Sequence, residues 1–174
     1  MTVKVALLGA ECTGKTTLAA ALEAALASCQ GGCLWIPEAL RDWCEVHGRT
    51  PLASEQDIIV REQMRRVHEA PCCGVLLVDS SPLMTAIYSE LLFNDTSLYA
   101  QAMDHHQSTY DLTLVLSPDI PWVADPGQRD GPQARAKVHE HLMEVLQKAS
   151  MDFFLIQGTL EARTHKALKA MRMA

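Results

Sequence analysis

The 174-residue sequence predicts an α/β fold in which a five-stranded parallel sheet carries helices on both faces. Short apolar runs alternate along the chain with longer amphipathic segments, as in a series of strand–helix units. These apolar runs are continuous and do not alternate with polar residues, which is typical of strands that are buried on both sides. The length fits one domain, and we expect a single domain over residues 1–174.

Each element follows from a local pattern and a local breaker. Strands are predicted at the apolar runs, residues 3–8, 33–36, 74–78, 112–116 and 153–156. Helices are predicted where apolar residues recur at helical spacing, over residues 15–29, 38–47, 55–70, 83–93, 97–108, 133–149 and 159–171. Gly31 and Gly32 end the first helix, Pro37 ends the second strand and Pro71 precedes the third strand.

Residues 117–132, SPDIPWVADPGQRDGP, form the least regular segment of the chain. Their content of Pro, Gly and Asp argues against a packed helix or a central strand. A loop of this length inside a compact domain is usually a functional lid or a disordered segment. We expect a lid over residues 117–135.

Composition excludes several classes of protein. A hydrophobic fraction of 48% excludes a disordered chain, and the net charge of −6 disfavours general binding to nucleic acids or acidic membranes. No run reaches the roughly 18 apolar residues of a membrane span, and the start of the chain lacks the apolar core of a signal peptide. We therefore expect a cytoplasmic protein whose six cysteines are reduced, and whether it forms a homo-oligomer stays open.

Residues 9–16, GAECTGKT, fit the P-loop pattern G-x-x-x-x-G-K-[ST] between a predicted strand and a predicted helix. In this pattern the backbone N–H groups surround phosphate oxygens, Lys15 reaches the β- and γ-phosphates, and the Thr16 hydroxyl binds Mg²⁺. The strand–loop–helix context argues against the alternative of a glycine-rich turn with an exposed lysine. The residues expected to bind ATP here are Gly9, Glu11, Cys12, Thr13, Gly14, Lys15, Thr16 and Thr17.

Two acidic residues follow predicted strands. Asp79 ends the run LLVD, where open α/β sheets bind their ligands, so it is a candidate Mg²⁺ residue together with Thr16. Its alternative role is to cap the following helix. Glu38 lies at the same edge, and either Glu38 or Asp79 is the candidate to orient the acceptor hydroxyl or take its proton. Arg41 lies one turn later, where it could hold a phosphate or pair with Glu38. The alternative for Glu38 is a first-turn carboxylate that stabilises a helix dipole.

The irregular segment and the residues after it supply further candidates. Arg129 and Arg135 are expected to bind ATP, and Arg129 is also expected to stabilise the migrating phosphoryl group. Trp122 offers a flat face to an aromatic or cationic ring, and its alternative role is a loop anchor. Asp125 completes the set of polar candidates in this segment.

Several other clusters are expected to be structural. The spacing of Cys29, Cys33, Cys44 and His47 is like half of a zinc site, but the apolar setting favours core packing. The following histidines and arginines are expected on solvated surfaces: His105, His106, His139, His141, Arg61, Arg65 and Arg66. The alternative for this part of the third helix is that Arg61 or Gln63 faces the cleft.

Taken together, the motifs resemble the kinase domain of the bifunctional NAD-biosynthesis regulators, the ribosylnicotinamide kinase family. The segments that carry the resemblance follow one order: GAECTGKTTL, PEALRDW, a helix from Gln56 to Gln63, LLVDSSPLMTAIY and YDLTLVLSPDIPWVADPGQRDGP. The resemblance implies a P-loop NTPase fold of the nucleoside/nucleotide-kinase type. It also implies transfer of the ATP γ-phosphate to the 5′-hydroxyl of nicotinamide riboside, with Mg²⁺.

The resemblance also implies roles for individual residues. Lys15 and Thr16 match the phosphate and Mg²⁺ residues, and Asp79 matches the acidic strand end. Glu38 and Arg41 match an E-x-x-R stretch after the second strand. In the last stretch, Trp122, Asp125 and Arg129 match a W…D…R pattern near the substrate. The resemblance implies that Trp122 stacks on the nicotinamide ring.

The chain departs from this family in two respects. Many relatives have D-x-D after the third strand, whereas Ser81 replaces the second Asp here. The sequence contains no H-x-G-H stretch, so we expect no adenylyltransferase portion in these residues. Two alternatives therefore stay open: a P-loop kinase for another nucleoside or small alcohol, and a nucleotide-switched ATPase that acts on a protein partner.

Overall fold

The computed structural model describes residues 2–28, 30–123 and 131–172. Within them the chain forms a five-stranded sheet flanked by helices. The strands are β1 (Val3–Leu8), β2 (Cys33–Ile36), β3 (Val75–Asp79), β4 (Leu112–Leu116) and β5 (Phe154–Ile156). The helices are α1 (Lys15–Leu26), α2 (Ala39–His47), α3 (Gln56–His68), α4 (Pro82–Phe93), α5 (Tyr99–Thr109), α6 (Pro132–Lys148) and α7 (Leu160–Met171).

All four strand pairs are parallel, and the strand order is β2-β3-β1-β4-β5. The predicted fold class is therefore confirmed. The order places β1 at the centre of the sheet, between β3 and β4. The loops that follow these three strands consequently meet at one edge of the sheet.

Side chains of β1 show why the strands are apolar throughout. Val5 and Leu7 pack on one face against Leu18 of α1 and Ala167 of α7. The intervening residues, Ala6 and Leu8, pack on the other face against helices α4 and α6. Both faces are buried, so neither can carry polar residues, and the alternating pattern of a half-exposed strand does not arise.

Most element bounds agree with the prediction to within one or two residues, and β3 and β5 each begin one residue later than predicted. The first helix ends at Leu26 instead of continuing to residue 29. A short 3-10 turn, Ala53–Glu55, precedes α3. No helix in the described part of the chain has the length and apolar character that crossing a membrane requires.

One expectation about surface residues is wrong. His106 on α5 was expected on a solvated face, but only 3% of it is exposed. Arg61 and Arg65 of α3 are exposed as expected and pair with Asp57 and Glu62, whereas Arg66 is half-buried and pairs with Asp42.

Candidate active site

The loop between β1 and α1 has the backbone geometry that its sequence predicts. Gly14 has φ +81°, in the left-handed region, and directly precedes the first residue of α1. A Cβ atom on Gly9 would lie 2.8 Å from Thr13 Oγ1 and 3.1 Å from the Leu116 carbonyl oxygen. Only glycine fits at residue 9 without a shift of its neighbours. The buried Thr13 hydroxyl donates a 2.8 Å hydrogen bond to the Ala10 carbonyl, which fixes the curve of the loop.

The Lys15 side chain folds back over this loop. Its Nζ atom donates hydrogen bonds of 2.9 Å to the Gly9 carbonyl and 3.0 Å to the Ala10 carbonyl. The ammonium group is thus held at the loop that the sequence assigns to phosphate. Phosphate oxygens are stronger acceptors than peptide carbonyls, so a bound nucleotide would compete for these same N–H donors.

Thr16 and Asp79 are in direct contact. The Thr16 hydroxyl donates a 2.6 Å hydrogen bond to Asp79 Oδ2, across the junction of α1 and β3. Asp79 is 2% exposed, and its Oδ1 atom is buried without a hydrogen-bond partner among the described residues. An unpaired carboxylate oxygen beside a hydroxyl is a donor set that suits Mg²⁺. These two residues therefore fit the metal that the fold implies.

The described residues do not enclose a metal by themselves. Residues 2–28, 30–123 and 131–172 contain no group of three or more His, Cys, Asp or Glu side chains that could hold one. Mg²⁺ at phosphoryl-transfer sites is commonly held by one or two protein groups, water and the substrate phosphates. A magnesium ion at Thr16 and Asp79 would accordingly arrive with the nucleotide.

Glu38 immediately precedes α2 and faces the same edge of the sheet. Burial raises the pKa of its carboxyl, and this effect outweighs the attraction of Lys15. The negative charge of Asp79 raises the pKa further, while Arg41 lowers it. Glu38 therefore lies close enough to Lys15 and Asp79 to feel both charges. A carboxylate with a raised pKa is the better proton acceptor.

The remaining candidates around Glu38 lie at its periphery. Arg41 is exposed. Burial raises the pKa of the Cys44 thiol, and the negative charges of Glu38 and of Glu11 in the P-loop raise it further. Thr17 is exposed at the start of α1.

Ser80 and Ser81 form a sharp turn between β3 and α4. Ser80 has φ +70°, a left-handed conformation that is uncommon for a residue with a side chain, and its N–H donates to the Leu7 carbonyl at 3.0 Å. Ser81 is the N-cap of α4, and its hydroxyl oxygen accepts a 3.3 Å hydrogen bond from the Leu83 N–H. The capping role that the sequence allowed for Asp79 thus belongs to Ser81.

The segment after β4 returns to the P-loop. The Cys12 thiol donates to the Val123 carbonyl at 3.2 Å, and the half-buried Trp122 directly precedes Val123. The Arg135 guanidinium donates to the Cys12 and Ile120 carbonyls at 3.2 and 3.0 Å. Two predicted site residues, Asp125 and Arg129, lie outside the described residues.

Arg163 on α7 is a site residue that sequence reasoning missed. It is 2% exposed, and its guanidinium donates to the Thr13 carbonyl at 2.5 Å, to the Ser117 carbonyl at 3.0 Å and to the Gly158 carbonyl at 2.9 Å. It also pairs with Asp119. One side chain therefore joins the P-loop to the residues that follow β4 and β5.

Gln63 on α3 supports the first turn of α2. Its side-chain oxygen accepts a 2.8 Å hydrogen bond from the Ala39 N–H and so holds the first turn of α2, directly after Glu38. Only 3% of Gln63 is exposed. Of the two α3 residues that the sequence allowed to face the cleft, Gln63 is buried beside α2, whereas Arg61 is exposed and pairs with Asp57.

Comparison with known proteins supports the assignment of the fold. The sequence model of the AAA domain family matches residues 4–163. No curated protein sequence matches the chain.

Many solved structures share the fold. The NadR protein in complex with NR superposes with a TM-score of 0.78 at 21% identity, covering 99% of this chain and 51% of the NadR chain. This chain therefore spans about half of the length of NadR. Thymidylate kinase from Ehrlichia chaffeensis has a TM-score of 0.71 at 15% identity, with 98% of both chains covered. Deoxyadenosine kinase from M. mycoides has a TM-score of 0.65 at 13% identity, covering 98% of this chain and 99% of that one. The fold is a P-loop fold of the nucleoside/nucleotide-kinase type.

Proposed function

The chain belongs to the AAA domain family, and from its kinase-type P-loop fold we propose that it transfers the γ-phosphoryl group of Mg·ATP to the 5′-hydroxyl of nicotinamide riboside, giving nicotinamide mononucleotide. The observation that carries the proposal is the hydrogen bond from Thr16 to Asp79 Oδ2 beside the P-loop, with Glu38 facing the same edge. These groups supply the phosphate, metal and acceptor sides of a phosphoryl transfer.

On the donor side, the N–H groups of residues 9–17 would surround the phosphates of ATP, and the start of α1 adds the positive end of its dipole. Lys15 would leave its two carbonyl partners and neutralise the charge on the β- and γ-phosphates. When bound between Thr16 and Asp79, Mg²⁺ would neutralise charge on these phosphates. Arg135 is anchored at the P-loop, and we assign it to the ATP side with Arg129.

On the acceptor side, Glu38 would accept the proton of the 5′-hydroxyl. The hydroxyl oxygen would form a bond to the γ-phosphorus as the bond from that phosphorus to the bridging oxygen breaks, and ADP would leave with the electron pair. Arg41 and Asp125 would contact the rest of the acceptor. We assign residues 117–135 to a lid that excludes water from this transfer.

The choice of nicotinamide riboside depends on two lines of support. The first is the resemblance of the motifs to the ribosylnicotinamide kinase family, together with the likeness to NadR solved with NR. The second is Trp122, which directly precedes Val123, whose carbonyl accepts a hydrogen bond from the Cys12 thiol of the P-loop. An indole face stabilises a cationic pyridinium ring better than a neutral base.

Ser81 favours a second candidate, a kinase of the same mechanism for another nucleoside or small alcohol. Many ribosylnicotinamide kinases have a second Asp at this position. Here the Ser81 hydroxyl is 1% exposed and is engaged with the Leu83 N–H. Ser81 therefore does not offer the phosphoryl acceptor the contact that the second Asp would offer in those relatives.

The test is a coupled assay of ADP release with Mg·ATP and a panel of acceptors, with mass detection of the product. We expect nicotinamide riboside to give nicotinamide mononucleotide and the greatest kcat/KM of the panel, and the Lys15→Ala variant to be inactive while folded. A greater kcat/KM for another nucleoside would favour the second candidate. ADP release that no acceptor accelerates would contradict both and favour a nucleotide-switched ATPase.

A further inference from the structure

Behind the candidate active site lies a buried chain of three polar side chains from three different elements. The imidazole of His106 on α5 lies between the Ser81 hydroxyl, 3.1 Å from its Nδ1 atom, and the Thr113 hydroxyl of β4, 2.9 Å from its Nε2 atom. The exposed fractions are 1% for Ser81, 3% for His106 and 7% for Thr113. Buried polar groups in such a chain cost free energy unless every member is paired.

The hydrogen bonds of this chain are mutually consistent. The Ser81 oxygen already accepts from the Leu83 N–H, so its own proton is available to a further acceptor. With the imidazole proton on Nε2, Ser81 donates to Nδ1, and Nε2–H donates to the Thr113 oxygen. Both hydroxyls and both ring nitrogens are then paired at once, with a neutral imidazole in the middle.

Ser81 is separated from Asp79 by one residue, and that residue is strained. Ser80 has φ +70°, a left-handed conformation that is unfavourable for a residue with a Cβ atom. Such a conformation persists only when the contacts around it hold it in place. On one side the Leu7 carbonyl holds the Ser80 N–H, and on the other side Ser81 is held by α4 and by His106.

The turn decides where the Asp79 carboxylate points. Asp79 is the last residue of β3, and its Oδ2 atom meets the Thr16 hydroxyl at 2.6 Å. If Ser81 were released, Ser80 would relax toward an ordinary backbone conformation and the carboxylate would turn away from Thr16. Groups that orient a metal-binding side chain in this way typically change metal affinity by about 10- to 100-fold when they are removed.

We propose that His106 is a positioning residue, which acts through Ser81 and the Ser80 turn to hold Asp79 in the orientation that binds the metal of the nucleotide complex. This inference rests on the proposed use of Mg·ATP but is independent of the identity of the acceptor. It also gives Ser81 a role: the position that carries a second Asp in many ribosylnicotinamide kinases here connects the turn to the core.

The experiment compares His106→Leu, which removes both hydrogen bonds, with His106→Gln, whose amide can donate to one hydroxyl and accept from the other. The control is His105→Leu on the same helix, because the His105 ring also packs against Tyr110, while its Nδ1 atom has no hydrogen-bond partner among the described residues. Affinity for the non-hydrolysable analogue AMP-PNP is measured by calorimetry on the full chain, once with Mg²⁺ and once with a chelator. No acceptor is present, so an error in the proposed acceptor does not affect the result.

We expect His106→Leu to weaken binding of the Mg²⁺ complex by about tenfold while changing metal-free binding by less than about twofold. His106→Gln should restore most of the loss, and His105→Leu should bind like the unmodified chain. Thr113→Val removes the hydroxyl that pairs with His106 Nε2 and keeps the side-chain volume, so it leaves no cavity in the core. This milder variant should also weaken binding of the Mg²⁺ complex.

Four results would overturn the proposal. These are a loss of equal size with and without Mg²⁺, a His106→Gln variant as weak as His106→Leu, a Thr113→Val variant that binds like the unmodified chain, and an unmodified chain whose affinity for the analogue does not depend on Mg²⁺.

Discussion

The Thr16 hydroxyl donates a 2.6 Å hydrogen bond to Asp79 Oδ2, although the two residues are 63 positions apart in the chain. The contact forms because β1 and β3 are neighbours in the sheet, so that the loop after β1 and the end of β3 meet at one edge. It leaves the second carboxylate oxygen of Asp79 buried and unpaired within the described residues. A buried carboxylate oxygen without a partner costs free energy, which a cation bound there would recover.

The first prediction concerns this carboxylate. Asp79→Asn keeps the volume and removes the charge, so we expect kcat to fall by about 100-fold or more and the Mg²⁺ requirement to rise. Initial rates measured over a range of Mg²⁺ concentrations would check this. Asp104→Asn, at an exposed position of α5, serves as the control. If Asp79→Asn has unchanged rates at limiting Mg²⁺, the assignment of Asp79 as a Mg²⁺ residue is wrong.

The second prediction concerns the proton acceptor. Burial raises the pKa of the Glu38 carboxyl above its ordinary value of 4.5. Because only the ionised carboxylate accepts a proton, kcat/KM should fall as the pH drops through this raised pKa. Glu38→Gln should lower kcat by roughly 100-fold and abolish that acidic limb. A pH profile of kcat/KM for both proteins decides the matter, and a variant that keeps the acidic limb would assign it to another group.

Several features of the fold follow from local sequence, and the reason is physical. The strands at residues 3–8, 33–36 and 112–116 were predicted to the residue, because both faces of a covered parallel sheet demand continuous apolar runs. The P-loop was predictable too, because its glycines allow backbone conformations that the loop needs and that depend only on neighbouring residues. Gly14, for example, adopts φ +81°.

Long-range polar contacts could not be predicted in this way. Arg163 contacts the Thr13 carbonyl across 150 residues of sequence, and in a helix pattern it looks like any solvated arginine. His106 was expected at the surface for the same reason. Both residues take their roles from the strand order, which local patterns do not encode.

The third prediction tests the acceptor. Trp122→Ala should raise the KM for nicotinamide riboside by about tenfold and leave the KM for ATP nearly unchanged, because a cation–π contact acts on the acceptor alone. Steady-state kinetics with each substrate varied would show the split. The control is Trp43→Ala, since Trp43 stacks on His47 and lies under Arg49. Equal effects on both substrates would indicate that Trp122 anchors the loop.

The fourth prediction concerns Arg163. Arg163→Met removes the hydrogen bonds that the guanidinium donates to three carbonyl groups and the ion pair with Asp119. We therefore expect a loss of about 3–5 kcal/mol in the free energy of unfolding. ATP affinity should fall as well, because the Thr13 carbonyl is part of the P-loop. Chemical denaturation and nucleotide titration measure the two effects. Arg61→Met removes a solvent-exposed ion pair and should cost less than about 1 kcal/mol. Equal losses for the two variants would refute this account of Arg163.

The last prediction concerns the pH dependence of stability. Burial, helped by the neighbouring His105, lowers the pKa of His106 from 6.5 to about 4. Between these two pH values the unfolded chain binds a proton that the folded chain does not, so acidification favours unfolding. From this histidine we expect stability to be complete above about pH 6.5 and to fall by up to roughly 3 kcal/mol as the pH approaches 4. His106→Gln carries no titrating group, so its free energy of unfolding should decline less over the same range. Urea unfolding at a series of pH values measures both curves, and parallel curves would mean that His106 titrates alike in the folded and unfolded chains.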